Sequence, residues 1–247
     1  MPVVLREARD TLVPDMDGPH GPLPPVMLAL TVLTGLVDAF SFLLLGHVFV
    51  ANMTGNVVFM GFALAGAPSF SMLASAVALL SFAGGALAGG VTVHLARAHR
   101  GRQLQHALLV ETVFVTAAMI VTLVSGGPYT GGVRFTLIVL LGVGLGVQNA
   151  SVRSLAVPEL TTTVLTRTLT GAVADSRIAR GPGSRAGRRV LSAVAILAGA
   201  FLGALAALNV HPALPLVIAV GLLAAMSTVA SLLARSDAPW TRPLVRT

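Results

Sequence analysis

The chain has 247 residues, 55% of them hydrophobic and 10% charged, with a formal net charge of +7 and no cysteine. A soluble domain carries roughly 25% charged residues to solvate its surface, so composition points to a membrane as solvent and argues against an enzyme of the aqueous phase. The lack of cysteine excludes disulfides, thiolate metal sites and cysteine nucleophiles.

All 16 basic side chains counted as Lys or Arg are arginine. They flank apolar runs instead of forming a basic domain, which fits loops facing anionic lipid and not a nucleic-acid surface.

Residues 1–24 read as a polar, proline-rich tail, extended and without the apolar core of a secretory signal. From there the apolar runs set the architecture. Six are long enough to cross about 30 Å of hydrocarbon as helix: about 25–46, 71–96, 105–125, 132–152, 189–209 and 212–234. Two shorter runs, about 52–66 and 159–176, open on the polar stretches Asn52-Met53-Thr54-Gly55-Asn56 and Glu159-Leu160-Thr161-Thr162-Thr163. Bare backbone polar groups cannot face lipid, so both short runs read as broken or re-entrant helices. The fold class expected is an all-α polytopic helix bundle of about six transmembrane helices plus these two, in one membrane domain over 25–234. Residues 235–247 form a basic tail.

Arginine placement sets the topology. One cluster is Arg97, Arg100 and Arg102, a second is Arg177, Arg180, Arg185, Arg188 and Arg189, and a third follows the last span at Arg235, Arg242 and Arg246. By the positive-inside rule all three are cytoplasmic, with both termini. Three crossings between the first two clusters would put them on opposite sides, so 159–176 enters and returns.

The two halves, about 25–125 and 132–234, also match in order. Asp38-Ala39 aligns with Asn149-Ala150, Thr54-Gly55-Asn56 with Thr166-Arg167-Thr168, and Gly85 and Gly89 with Gly199 and Gly203. With three crossings each, the second half is inverted relative to the first. Inverted repeats with paired broken helices are a transporter architecture, with the breaks meeting at a central site.

The run Gly35-Leu36-Val37-Asp38-Ala39-Phe40-Ser41-Phe42, then Phe49-Val50-Ala51-Asn52-Met53-Thr54-Gly55-Asn56, resembles the signature of the YoaK family of bacterial membrane proteins. A second signature, Gly146-Val147-Gln148-Asn149-Ala150 followed by Thr161-Thr162-Thr163-Val164-Leu165-Thr166, strengthens the resemblance, which covers about 25–234. Arg167 departs from it, standing where a small residue is expected. The resemblance implies a multi-helix protein of the bacterial inner membrane, regarded as a small-molecule transporter without an assigned substrate.

The candidate site residues are polar groups placed where lipid would penalise them. Asp38, about 13 residues into the first span, is expected near mid-membrane as a coupling carboxylate, a substrate contact or a structural acceptor. Asn52, Thr54, Gly55 and Asn56 line the first break, Gly55 for backbone freedom and Thr54 or Asn56 as a cap for the short helix. Gln148 and Asn149 end a glycine-stepped helix and are expected opposite Asp38. Thr163 and Thr166 supply hydroxyls to the second break, and Arg167 an anion contact, an ion pair or a snorkelling cation. Glu111 lies about six residues into its span and is expected near the interface, at a different depth from Asp38, which argues against a catalytic pair.

His94, His99 and His106 lack metal-ligand spacing with carboxylates, and no nucleotide motif appears. No metal or cofactor is therefore expected. The partners expected are the lipid bilayer and a small solute, with a coupling ion and a second copy of the chain as further candidates. The leading function is a secondary transporter or facilitator, with a channel-like pore and a non-transporting scaffold as alternatives.

Overall fold

A computed structural model describes residues 3–96, 98–158, 160, 170 and 186–242. Eight helices are present among them: α1 (Val3–Leu12), α2 (Leu23–Leu44), α3 (Met53–Leu64), α4 (Met72–Leu95), α5 (Arg100–Ser125), α6 (Gly131–Leu155), α7 (Ala186–Asn209) and α8 (Leu214–Leu233). Six of them, α2 and α4–α8, are long and apolar enough to cross a membrane. The shortest, α8, has 20 residues, and at about 1.5 Å rise per residue it covers about 30 Å.

The protein is apolar on the outside. Leu80 and Leu87 are each 74% exposed and Val124 is 83% exposed, while Thr34, Asn56 and Glu111 are fully buried. In water this distribution would be unstable, because it leaves apolar area hydrated and desolvates polar groups. In a bilayer it is the favourable one, and the buried polar groups must find partners within the bundle.

Two close crossings organise the bundle: α4 packs along α6, and α7 packs along α2. They correspond residue for residue. A methyl built on Gly85 would lie on the Val143 carbonyl, and one on Gly199 on the Val32 carbonyl. Gly89 faces Val147 and Ala150, as Gly203 faces Leu36 and Ala39. From the other side, Gly146 faces Phe82 and Ala86, as Gly35 faces Ile196 and Ala200. Every α6 residue in this set is its α2 counterpart plus 111, the offset that relates Asn149 to Asp38. The second membrane-length helix of each half is therefore packed on the first helix of the other half. Small residues allow such backbone approach where lipid supplies no hydrophobic drive between helices. The remaining packing obeys the same exchange: α5 lies on α6 as α8 lies on α2, and α5 and α8 meet each other.

Three features differ from the sequence reading. Residues 3–12 are helical and not extended. The helix α1 is tied to the start of α7, where the Gly187 amide donates to Glu7 Oε2 at 2.9 Å and Arg188 Nε donates to Thr11 Oγ1 at 3.3 Å. The helix α5 starts at Arg100, five residues earlier than expected, because His99 accepts the Arg102 amide at 3.2 Å as an N-cap. Arg100 is also turned inward at 4% exposure, away from the lipid headgroups. Its guanidinium donates to the carbonyls of Pro19 (2.8 Å), Trp240 (3.0 Å) and Leu155 (2.6 Å). One side chain thereby closes the C-terminus of α6, whose last carbonyls lack helical donors, and gathers both tails at the same end.

Gly85→Ala and Gly199→Ala are each expected to destabilise the protein by about 1–3 kcal/mol through overpacking. Gly90→Ala and Gly221→Ala, with nothing within 4 Å, should be neutral or slightly stabilising. Unfolding in detergent micelles, followed by circular dichroism, measures all four.

Candidate functional site

The segment between α2 and α3 carries the site. Gly46 at φ +82° and His47 at φ +58° reverse the chain just past the end of α2. Residues 48–51 then run back along α2 until they reach the level of Asp38, six residues before the helix end. That is a descent of about 9 Å. There the Asp38 carboxylate accepts the amides of Val50 (3.0 Å) and Ala51 (2.9 Å) at Oδ1.

From Met53 the chain returns as α3, only 12 residues long. At about 18 Å it is too short to cross hydrocarbon of about 30 Å. The turn after it comes back to the end of α2, where His47 Nδ1 donates to the Ser69 carbonyl at 3.1 Å. The first short segment is thus re-entrant, an extended leg going in and a helical leg coming out.

Asn56 holds the other side of the extended leg. Its Oδ1 accepts the Phe49 amide at 2.9 Å and its Nδ2 donates to the Phe49 carbonyl at 2.7 Å. Asp38 and Asn56 together give hydrogen-bond partners to three consecutive amides, those of Phe49, Val50 and Ala51. The side chains of Phe42, Phe49, Phe59 and Phe70 stack beside the hairpin, with ring centroids 4.9–5.6 Å apart for the three stacked pairs.

Three expectations about this region change. Asn52, not Thr54 or Asn56, occupies the N-cap position of α3, and its side chain makes no capping bond. Gly55 is an ordinary helical residue, needed because a Cβ there would lie 2.7 Å from the Phe49 ring. Asp38 also sits about two-thirds of the way along α2 and not at its middle, since α2 starts at Leu23.

A cleft of about 660 Å³ opens between α2 and α7, lined among the described residues by Thr34, Asp38, Phe49, Asn52, Ile196 and Ala200 together with apolar neighbours. Of the residues expected in a site, Asp38 and Asn52 share this cleft. Thr54 is exposed on α3. Gln148 enters from the far side of α2, in bonding distance of Thr34 Oγ1 at 3.1 Å. Asn149 Nδ2 donates to the Leu145 carbonyl at 2.9 Å. Thr163, Thr166 and Arg167 lie outside the described residues, as does most of the second short segment. No three His, Asp or Glu side chains among the described residues converge as metal ligands.

Sequence reasoning missed Thr34 and misplaced Glu111. Thr34 and Asp38 stand four apart, on one face of α2, a spacing that could have flagged Thr34. Glu111 is the twelfth of the 26 residues of α5 and fully buried. It looked peripheral only because the helix was expected to start at 105.

Asp38→Ala and Asn56→Ala each strand backbone amides and are expected to cost about 1–3 kcal/mol per unpartnered group. Because both hold one short leg, the double substitution should be less costly than the sum, with a coupling of about 0.5–3 kcal/mol. Urea or thermal unfolding of the two single variants and the double variant measures that coupling.

The comparison with known proteins agrees with this architecture. Residues 26–229 match the family described as "Protein of unknown function (DUF1275)". The UPF0700 transmembrane protein YoaK of Bacillus subtilis (strain 168) is 30% identical over 151 residues, which cover 60% of this chain and 65% of the relative. No solved structure is significantly similar. With six membrane-length helices, a re-entrant hairpin and a family match over most of its length, the chain is a multi-pass transmembrane protein that belongs to the DUF1275 family.

Proposed function

We propose that this protein moves a small solute across the bacterial inner membrane, with both termini and the arginine clusters on the cytoplasmic side. The observation that carries this reading is the re-entrant hairpin held by Asp38 at the edge of a cleft. A helix broken at membrane depth is tolerated where it lines a cavity, and breaks of this kind, set in repeated halves, form transporter sites. The exchange-related crossings of α2 with α7 and α6 with α4 supply two comparable bodies, which alternating access requires.

The cleft matches a small and largely apolar solute with one polar group. Its walls are apolar except for Thr34, Asp38 and Asn52. The Asp38 carboxylate retains acceptor capacity beyond its bonds to Val50 and Ala51, which suits a solute that donates a hydrogen bond. The cleft volume falls within the 300–1,000 Å³ range of small-molecule sites. A scaffold reading also has an observation in its favour: Asp38 and Asn56 both direct polar atoms to the backbone, as purely structural groups would.

The two readings separate in a thermal-shift screen of small metabolites and ions, using purified wild type, Asp38→Asn and the cleft-filling Ala200→Phe. A solute at 100 times its Kd should stabilise wild type by about 2.7 kcal/mol and leave both folded variants unmoved. If no solute shifts the wild type while Asp38→Asn only melts earlier, the hairpin is structural and the scaffold reading replaces transport.

A further inference from the structure

Glu111 lies in the middle of the bundle, fully buried, and neither the hairpin nor the cleft uses it. One terminal atom of the Gln148 amide lies 2.5 Å from Glu111 Oε1 and 3.2 Å from Oε2, and the other lies 3.1 Å from Thr34 Oγ1. Thr34 Oγ1 in turn lies 2.9 Å from the Leu30 carbonyl. Three helices, α5, α6 and α2, are thus joined by one chain of polar atoms.

No cation balances the carboxyl among the described residues. On α5 the nearest titratable group is His106, five residues away, with Arg100 and Arg102 beyond it at the helix start. The helix α6 carries Arg134 and Arg153, α2 carries only Asp38, α4 only His94, and α8 has no titratable residue. None of these groups forms an ion pair or a hydrogen bond with Glu111.

The positions admit two hydrogen-bond patterns, and a single proton separates them. With the proton on Glu111, the carboxyl O–H donates to Gln148 Oε1, Gln148 Nε2 donates to Thr34 Oγ1, and the Thr34 O–H donates to Leu30. Each link of the chain then joins a donor to an acceptor. The 2.5 Å separation falls at the short end of the O–H···O range and below that of N–H···O bonds. Without the proton, two acceptor oxygens would oppose each other, so the amide must turn. Gln148 Nε2 then donates to the carboxylate, Oε1 takes the Thr34 proton, and the Leu30 carbonyl loses its side-chain donor.

We infer that Glu111 is a proton-binding site, and that its occupancy sets the orientation of the Gln148 amide and, through it, the Thr34 hydroxyl at the cleft. The proton comes from and returns to water, and no other bond changes. Coupling that site to solute movement rests on the transport reading, whereas the proton site itself does not. This gives the protein a buried proton switch, separate from the hairpin clamp, whose Thr34 end stands one helical turn from Asp38 on α2.

Difference infrared spectroscopy of wild type minus Glu111→Gln, in lipid, tests the site directly. Glu111→Gln keeps a donor toward Gln148 Oε1 and so preserves the protonated pattern and the fold. The expected result is a protonated-carboxyl C=O band at neutral pH, absent from the variant and converted to carboxylate bands as the pH rises. Carboxylate bands at every pH examined would overturn the proposal.

The link to the cleft is tested in the same cysteine-free chain with Ala200→Cys, labelled by a water-soluble maleimide with and without Glu111→Gln. The ratio of the two rates cancels the ionisation of the thiol itself. It should stay near one at low pH and depart by about fivefold at high pH. A ratio of one throughout, with the infrared band present, would overturn the link to Thr34. Absence of any transported solute would leave both measurements unaffected, so failure of the transport reading is distinguishable.

Discussion

A chain that breaks its helix inside hydrocarbon uncovers amides that no lipid can satisfy, and every feature around the break follows from that constraint. Here the partner is a carboxylate. Asp38 accepts the amides of Val50 and Ala51, and Asn56 pairs with both backbone groups of Phe49. An unpartnered carboxyl at that depth would be costly, and these donors offset part of that cost. The hairpin in turn gives Asp38 its place, since the carboxyl would otherwise face lipid or an empty groove. Break and carboxylate therefore require each other.

The hairpin can stay in place only if the helices beside it are held firmly. That is the work of the two glycine-lined crossings, in which backbone lies directly on backbone and no side chain can adjust. Their residue-for-residue correspondence means that the two halves grip each other by the same surface, used twice. Such interfaces favour discrete arrangements over continuous deformation. At the arginine-rich end Arg100 performs the complementary task, binding both tails to the end of α6 through three carbonyls.

Asp38 and Glu111 differ in kind although both are buried carboxyls. Asp38 faces the backbone amides of Val50 and Ala51 and holds them in place. Glu111 faces an amide group that can turn either way, so its proton has structural consequences. Two carboxyls whose surroundings diverge in this manner divide anchoring from switching between them.

Much of this was legible in the sequence, because lipid imposes rules that depend on residue type alone. The six spans, the shortness of 52–66, the matching halves and the prominence of Asp38, Asn52 and Asn56 all followed from runs of apolar residues and from polar residues placed among them. The internal repeat was visible as an offset of 111 before its meaning was. Only the tertiary structure showed that the matching glycines face the opposite half, since helix packing depends on which faces meet and not on spacing along the chain. It also decided that Asn56 holds the backbone of Phe49 instead of capping α3, that Gly55 makes room for a ring, and that Arg100 points inward. Above all it decided Glu111. Its residue type was plain, but its depth depended on where α5 begins, and its chemistry on Gln148 and Thr34, which come from helices far away in the chain and adjacent only in space.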